Sequence, residues 1–175
     1  MTERQFYDWQ TAGGGGDVLL LTETLEWREI PWCVIGGLAV NHWAQEPMAT
    51  ADVDLVVATD RVEDAVSALE TAGFKAARFA WSINLRGHSK VSVQISTESF
   101  YQDFPARSVP ADVHGILLRV ASLEDTLQGK VRAWRDVERR ASKRQKDLAD
   151  ILRLLEAHPQ LRSSLPEDVS AKIEA

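Results

Sequence analysis

A chain of 175 residues, 45% of them hydrophobic, is long enough to bury one core and too short for two comfortable domains. Its net charge of −6 argues against a uniformly basic nucleic-acid coat but leaves room for a local cationic patch. The single cysteine, Cys33, excludes an internal disulfide and fits a reducing compartment. No apolar run approaches the roughly 20 residues that span a bilayer, and the opening MTERQFYDWQ lacks the apolar stretch of a signal peptide. The expected setting is cytoplasmic, without a membrane.

Residues 1–16 read as a flexible N-terminal arm ending in a hinge at Gly13 to Gly16, and residues 17–175 as a single domain. The glycine tetrad lacks the Lys-Ser/Thr ending of a P-loop. Asp17 stands where it can cap a helix carrying Val18, Leu21 and Leu25 at helical spacing. Trp32 to Ile35 reads as a buried strand entering a tight turn at Gly36-Gly37, with a helix from Leu38 to Ala44 directly behind it. Val53, Leu55, Val56 and Val57 mark the next strand. Its start, Asp52-Val53-Asp54-Leu55, alternates carboxylate and apolar residue, so both carboxylates share one face.

Asp60 and Glu63 have capping-box-like spacing ahead of a helix bearing Val62, Ala65, Val66 and Leu69, which Gly73 ends. Strands follow at Phe74 to Ala80, Ser82 to Leu85 and Lys90 to Ser96. In the last, Val91, Val93 and Ile95 point one way and Ser92, Gln94 and Ser96 the other. A polar loop leads to a strand at Ile116 to Val120. Ser122 and Asp125 form a second capping box for a helix presenting Leu123, Leu127, Val131 and Trp134. A final helix from about Ser142 to Glu156 stops at His158-Pro159. This order predicts an α+β fold, a mixed sheet covered by helices, with helices at the C-terminus.

Carboxylates at i and i+2 on a strand stand roughly 6.5 to 7 Å apart at Cα, so their oxygens can converge on one hard cation. Mg²⁺ suits such ligands, or Mn²⁺ in its place, with waters and substrate phosphates completing the shell. Glycines at a strand-to-helix turn let backbone N–H groups approach a phosphate, and the helix N-terminus favours its charge. Either feature alone is common in proteins that do no such chemistry. A cationic run, Arg139, Arg140, Lys143, Arg144 and Lys146, is most simply a solvated helical face, yet it offers RNA a contact. Cys33 reads as a core residue, and His42, Trp43 and Trp134 as packing residues. Asp147 and Asp150 read as partners for neighbouring Arg and Lys.

Together, IGGLAVNHWAQEPMATADVDLVV resembles the signature of the polymerase-β-like nucleotidyltransferase superfamily: an apolar residue, Gly-Gly, a short helix, then Asp-x-Asp. The Gly-Gly-x-Ala start and the Thr50-x-Asp52-x-Asp54 ending are most similar to its AbiEii-like branch, which includes toxins of toxin–antitoxin pairs. Lys130 and the Lys146-Asp147-x-x-Asp150 run resemble that branch's C-terminal helices more weakly.

The resemblance implies an Mg²⁺-dependent enzyme in which Asp52 and Asp54 bind metal. Gly36, Gly37, Thr50 and Lys130 would hold an NTP, and NMP would pass to a hydroxyl of RNA, a protein or a small molecule. It also implies an antitoxin-like protein partner. The 14 residues from Leu38 to Ala51 make a long spacer for the superfamily. Its third carboxylate belongs on a later strand, and the aligned position here is Gln94, which can coordinate but cannot act as a base. Glu98 is the nearest carboxylate. A degenerate member that binds nucleotide or a partner without turnover is the alternative.

Overall fold

Period-two alternation of apolar residues gives the strands one buried face each, and that face sets how the sheet is covered. The computed structural model describes residues 1–11, 13–44 and 46–175. The strands are β1 (Trp32–Ile35), β2 (Asp52–Val57), β3 (Lys75–Arg78), β4 (Ser82–Arg86), β5 (Ser92–Ser96), β6 (Val109–Val113) and β7 (Ile116–Val120). They form one mixed sheet in the order β3-β4-β5-β2-β1-β7-β6. β2 runs parallel to β5 and β1 parallel to β7, while the other neighbours are antiparallel.

The helices are α1 (Glu3–Thr11), α2 (Gly14–Trp27), α3 (Gly36–Ala44), α4 (Val62–Thr71), α5 (Phe104–Arg107), α6 (Leu123–Arg135), α7 (Ala141–Ala157) and α8 (Glu167–Glu174). Among the described residues no helix is long and apolar enough to cross a membrane. Leu55, Val93, Ile95 and Leu85 pack with Leu21 and Leu25 of α2 and with Val66 and Leu69 of α4 in the main core. A second cluster joins Val40 of α3, Leu127 and Val131 of α6, and Ile151, Leu154 and Leu155 of α7. On the opposite face of the sheet, Tyr101 and Phe104 pack with Cys33 and Val56. The polar side chains of β2 and β5 remain beside that lid, facing a cleft.

The α+β class and the mixed sheet agree with expectation; several local assignments do not. The glycine run is not a hinge. Gly13 adopts a left-handed conformation (φ 92°), and Gly14 to Gly16 make the first turn of α2. That turn is capped from α1: Thr11 Oγ1 accepts the Gly14 N–H at 2.9 Å and Asp8 Oδ1 accepts the Gly15 N–H at 2.8 Å. A Cβ on Gly14 would sit 2.3 Å from both Thr11 Oγ1 and a Val91 methyl, so the glycines serve close approach. The arm is docked rather than loose in this structure, with Tyr7 2% exposed and stacked on His114.

Asp17 does not cap α2. It accepts hydrogen bonds from the His88 N–H (3.1 Å) and from the Ser89 N–H (2.8 Å) and hydroxyl, tying α2 to the β4–β5 turn. Burial pushes its carboxyl up, but the bonds from Ser89 and His88 outweigh burial and hold it below the ordinary range. Its contribution to stability is therefore present above the unfolded-state pKa and is lost as pH falls through the lower folded-state value. Asp17→Ala should destabilise the protein by about 2 kcal/mol at pH 7, because two amides lose their acceptor. Urea melts should show that difference shrinking as pH falls through and below the ordinary aspartate range.

Gly73 ends α4 as expected, at φ 110° with the Phe74 N–H bonded to Leu69 O at 3.0 Å. Asp60 falls in a 3₁₀ turn (Thr59–Arg61) that precedes α4 and makes no cap, and Glu63 pairs with Arg78 instead. Ser122 does cap α6, accepting the Asp125 N–H at 3.1 Å. The Asp125 carboxylate turns away to Arg107, at 2.8 and 3.0 Å. The expected polar loop contains β6, an edge strand with Ala111 and Val113 buried and Pro110 and Asp112 exposed between them.

Candidate active site

Asp52 and Asp54 stand at the start of β2, on the face opposite Val53 and Leu55, which are fully buried. The parallel register sets Asp52 beside Ser92 and Asp54 beside Gln94. β1 ends alongside, with Ile35 opposite Asp54, and turns at Gly36 (φ 65°) straight into α3. A Cβ on Gly36 would lie 2.7 Å from Asp54 Oδ2, so glycine is required both by the left-handed backbone and by the carboxylate against it. The Gly37 position faces Thr50 Oγ1 at 3.5 Å, and that hydroxyl contacts the Asp52 backbone at 3.3 Å. The fold thus gathers Gly36, Gly37, Thr50, Asp52, Asp54 and Gln94 in one place.

Among the described residues the Asp54 carboxylate has no hydrogen bond or ion pair, and Asp52 has one long pair, to Lys143 at 3.9 Å. Burial, and then the charge of Asp52, push the Asp54 carboxyl above its ordinary value. A half-buried carboxylate pair that repels itself and lacks protein partners matches the donor set of a hard divalent cation. The described residues hold no cluster of three or more His, Cys, Asp or Glu side chains able to bind a metal.

The cleft above these residues has a volume of about 950 Å³ and is bounded opposite the sheet by α6, the N-terminal end of α7 and the Phe100–Tyr101–Phe104 segment. Lys130 borders it, but its ammonium is spent on Asp147 (3.1 Å) and Asp150 (2.8 Å). A triphosphate contact from Lys130 would have to break that buried pair. Asp147 also binds Arg139 at 2.6 Å, and Asp150 binds Arg153 at 2.9 Å, so both aspartates are ion-pair partners as their helical setting suggested.

The cationic run divides. Arg139 and Lys143 line the cleft. Arg144 donates to Trp134 O at 2.7 Å, and Arg140 and Lys146 face solvent. Glu98 borders the cleft but is bound by Arg132 at 2.6 Å. Cys33 is a core thiol pushed up to about 12, mainly by burial. Trp43 donates to Ala121 O at 2.9 Å, and His42 packs edge-on against its ring.

Sequence reading missed Arg132, Phe100 and Tyr101 as cleft residues. Tyr101 is pushed up to about 12, chiefly by burial and then by Glu98, so its phenol stays protonated at neutral pH. The only signal for Phe100 and Tyr101 was an aromatic cluster with Phe104 in a stretch read as loop, and Arg132 carried none, being one more charged residue on the expected helix.

The family model for the nucleotidyl transferase AbiEii toxin of type IV toxin–antitoxin systems matches residues 29–174. The chain belongs to this AbiEii family. Its matched span contains the glycine turn, both aspartates and the two helices α6 and α7 that roof the cleft. Among solved structures, the lincosamide antibiotic adenylyltransferase LnuA bound to lincomycin aligns with a TM-score of 0.56 at 11% identity. That alignment covers 79% of this chain and 96% of LnuA. The antibiotic-resistance factor ANT(2'')-Ia aligns at 0.58 and 12% identity, over 90% of this chain and 89% of its own. An antigenic nucleotidyltransferase-like protein from Paracoccidioides brasiliensis aligns at 0.50 and 19% identity, over 79% and 74%. At these identities the likeness establishes the nucleotidyltransferase fold. None of the curated proteins compared matches this AbiEii-family chain in sequence.

Proposed function

We propose that this AbiEii-family protein is an Mg²⁺-dependent nucleotidyltransferase that moves an NMP from an NTP to an acceptor hydroxyl. The observation that carries the reading is the Asp54 carboxylate, unpartnered among the described residues, against the Gly36 turn and level with Asp52 and Gln94. Asp52 and Asp54 would hold Mg²⁺, or Mn²⁺ in its place. The ion would supply charge stabilisation for the developing oxygens of an in-line displacement. The N–H groups of the Gly36-Gly37 turn, at the start of α3, receive the phosphates without side-chain obstruction. Lys143, whose pairing to Asp52 is long, lies free to follow the triphosphate charge. The acceptor oxygen bonds to the α-phosphorus, the bond to the β-phosphate side breaks, and pyrophosphate leaves.

Gln94 favours a slow enzyme, or one that binds nucleotide or a partner without turnover, since a neutral amide takes no proton. RNA, a protein side chain and a small molecule remain the acceptor classes; a polyanion would meet Lys143 in the cleft and Arg140 and Arg144 outside it, and Arg139 would have to share its guanidinium with Asp147. An antitoxin-like partner fits the family's name.

Incubation with NTP labelled at the α- or the γ-phosphate, in the presence of Mg²⁺ and total RNA, tests the reading. The α-label should enter RNA or the protein itself while the γ-label leaves as pyrophosphate. Transfer of the γ-label to an acceptor would refute it.

A further inference from the structure

Arg132 of α6 lays its guanidinium over the Phe100 ring, 4.6 Å from the centroid. Its Nε and Nη2 both donate to Glu98 Oε2, at 3.2 and 2.6 Å, so the plane is fixed in tilt as well as in place. The ring beneath is itself packed edge-on by Tyr101 at 4.9 Å and by Phe104 at 5.7 Å. The Arg132 side chain remains 46% exposed, and Arg132, Glu98 and Phe100 all border the cleft that holds Asp52 and Asp54.

A guanidinium stacked on one aromatic ring has a second flat face, and heterocyclic bases stack readily on such planes. The Nε–Nη2 edge of the fork is taken by Glu98, which also neutralises the charge, while Nη1 has no protein partner among the described residues. What Arg132 offers the cleft is its face, beside an Nη1 corner whose charge Glu98 already balances. We propose that Arg132, held by Glu98 and backed by Phe100, is the platform on which the nucleobase of the NTP stacks. This rests on the nucleotidyltransferase reading and divides the cleft. The triphosphate lies toward Gly36-Gly37 and Lys143, and the base lies toward α6. Glu98 acts through Arg132 as a positioning residue.

Calorimetric titrations in Mg²⁺ with each of the four common NTPs, and separately with inorganic tripolyphosphate, test the division. Arg132→Lys keeps the charge and loses the plane. Stacking contributes enough that this change should weaken NTP binding about tenfold, while tripolyphosphate binding stays within about twofold. Phe100→Leu, which removes the backing ring, should act in the same direction by a smaller factor, with circular dichroism showing an intact fold.

Equal weakening of NTP and tripolyphosphate by Arg132→Lys would make Arg132 a phosphate ligand and overturn the proposal. NTP affinity unchanged in both variants would overturn it as well. A wild type that binds tripolyphosphate but no NTP overturns the base platform alone. A wild type that binds neither overturns the nucleotidyltransferase reading along with it.

Discussion

Asp54→Asn is expected to lower nucleotidyl transfer by about three orders of magnitude or more, since the ion held there would supply several kcal/mol of transition-state stabilisation. The same substitution should raise the melting temperature of the metal-free protein slightly. The wild-type pair carries a carboxyl pushed up by burial and by the Asp52 charge, and a neutral amide of the same shape relieves both costs. The sign follows from linkage: a raised folded-state pKa gives stability that is present below the unfolded value and lost as pH rises through the folded one. Mg²⁺ must displace that proton, so its affinity should fall as pH drops through the raised Asp54 value. Melts with and without Mg²⁺, across pH, read both effects. An Mg²⁺ response that Asp54→Asn leaves intact would place the metal elsewhere.

Gln94→Asp is expected to act in the opposite direction. Register places Gln94 directly beside Asp54 on the next strand, where a third carboxylate would add both charge and a base. The substitution should tighten Mg²⁺ binding and raise turnover, by about 10²- to 10⁴-fold if proton removal limits the native protein. It should also destabilise the metal-free fold, because three carboxylates then repel one another. Robust wild-type turnover that Gln94→Asp does not change, together with its loss in Glu98→Gln, would instead make Glu98 the working carboxylate. Glu98 is bound to Arg132 at 2.6 Å, and would first have to leave it.

The part of this site that could be read in advance is the part written in local geometry. Asp52-Val53-Asp54-Leu55 places two carboxylates on one face because the other face must be buried, and Val53 and Leu55 are fully buried. Gly36 is legible because no other residue tolerates that turn against a carboxylate. Gln94 was reachable from alternation alone, although its parallel pairing with β2 depends on strand order that the sequence does not state.

Lys130 shows where such reading stops. Its spacing suggested a ligand contact, but the packing of α6 on α7 delivers Asp147 and Asp150 to its ammonium. β6 escaped because an edge strand tolerates Pro110, a residue that speaks against a strand elsewhere in a sheet. The glycine run looked flexible, yet Gly14 is crowded by Thr11 and Val91 and Gly15 by Asp8. For Lys130 on Asp147 and Asp150, and for Gly14 against Val91, a contact distant in sequence decided the outcome.

The most direct measurement is calorimetric titration of Mg²⁺–NTP into the wild type and into the Asp52→Asn/Asp54→Asn double variant. The wild type should bind saturably, and the double variant should bind at least about 100-fold more weakly, since it retains neither carboxylate that would hold the ion. Equal, Mg²⁺-dependent affinity in both proteins would contradict the assignment of this cleft as the nucleotide site.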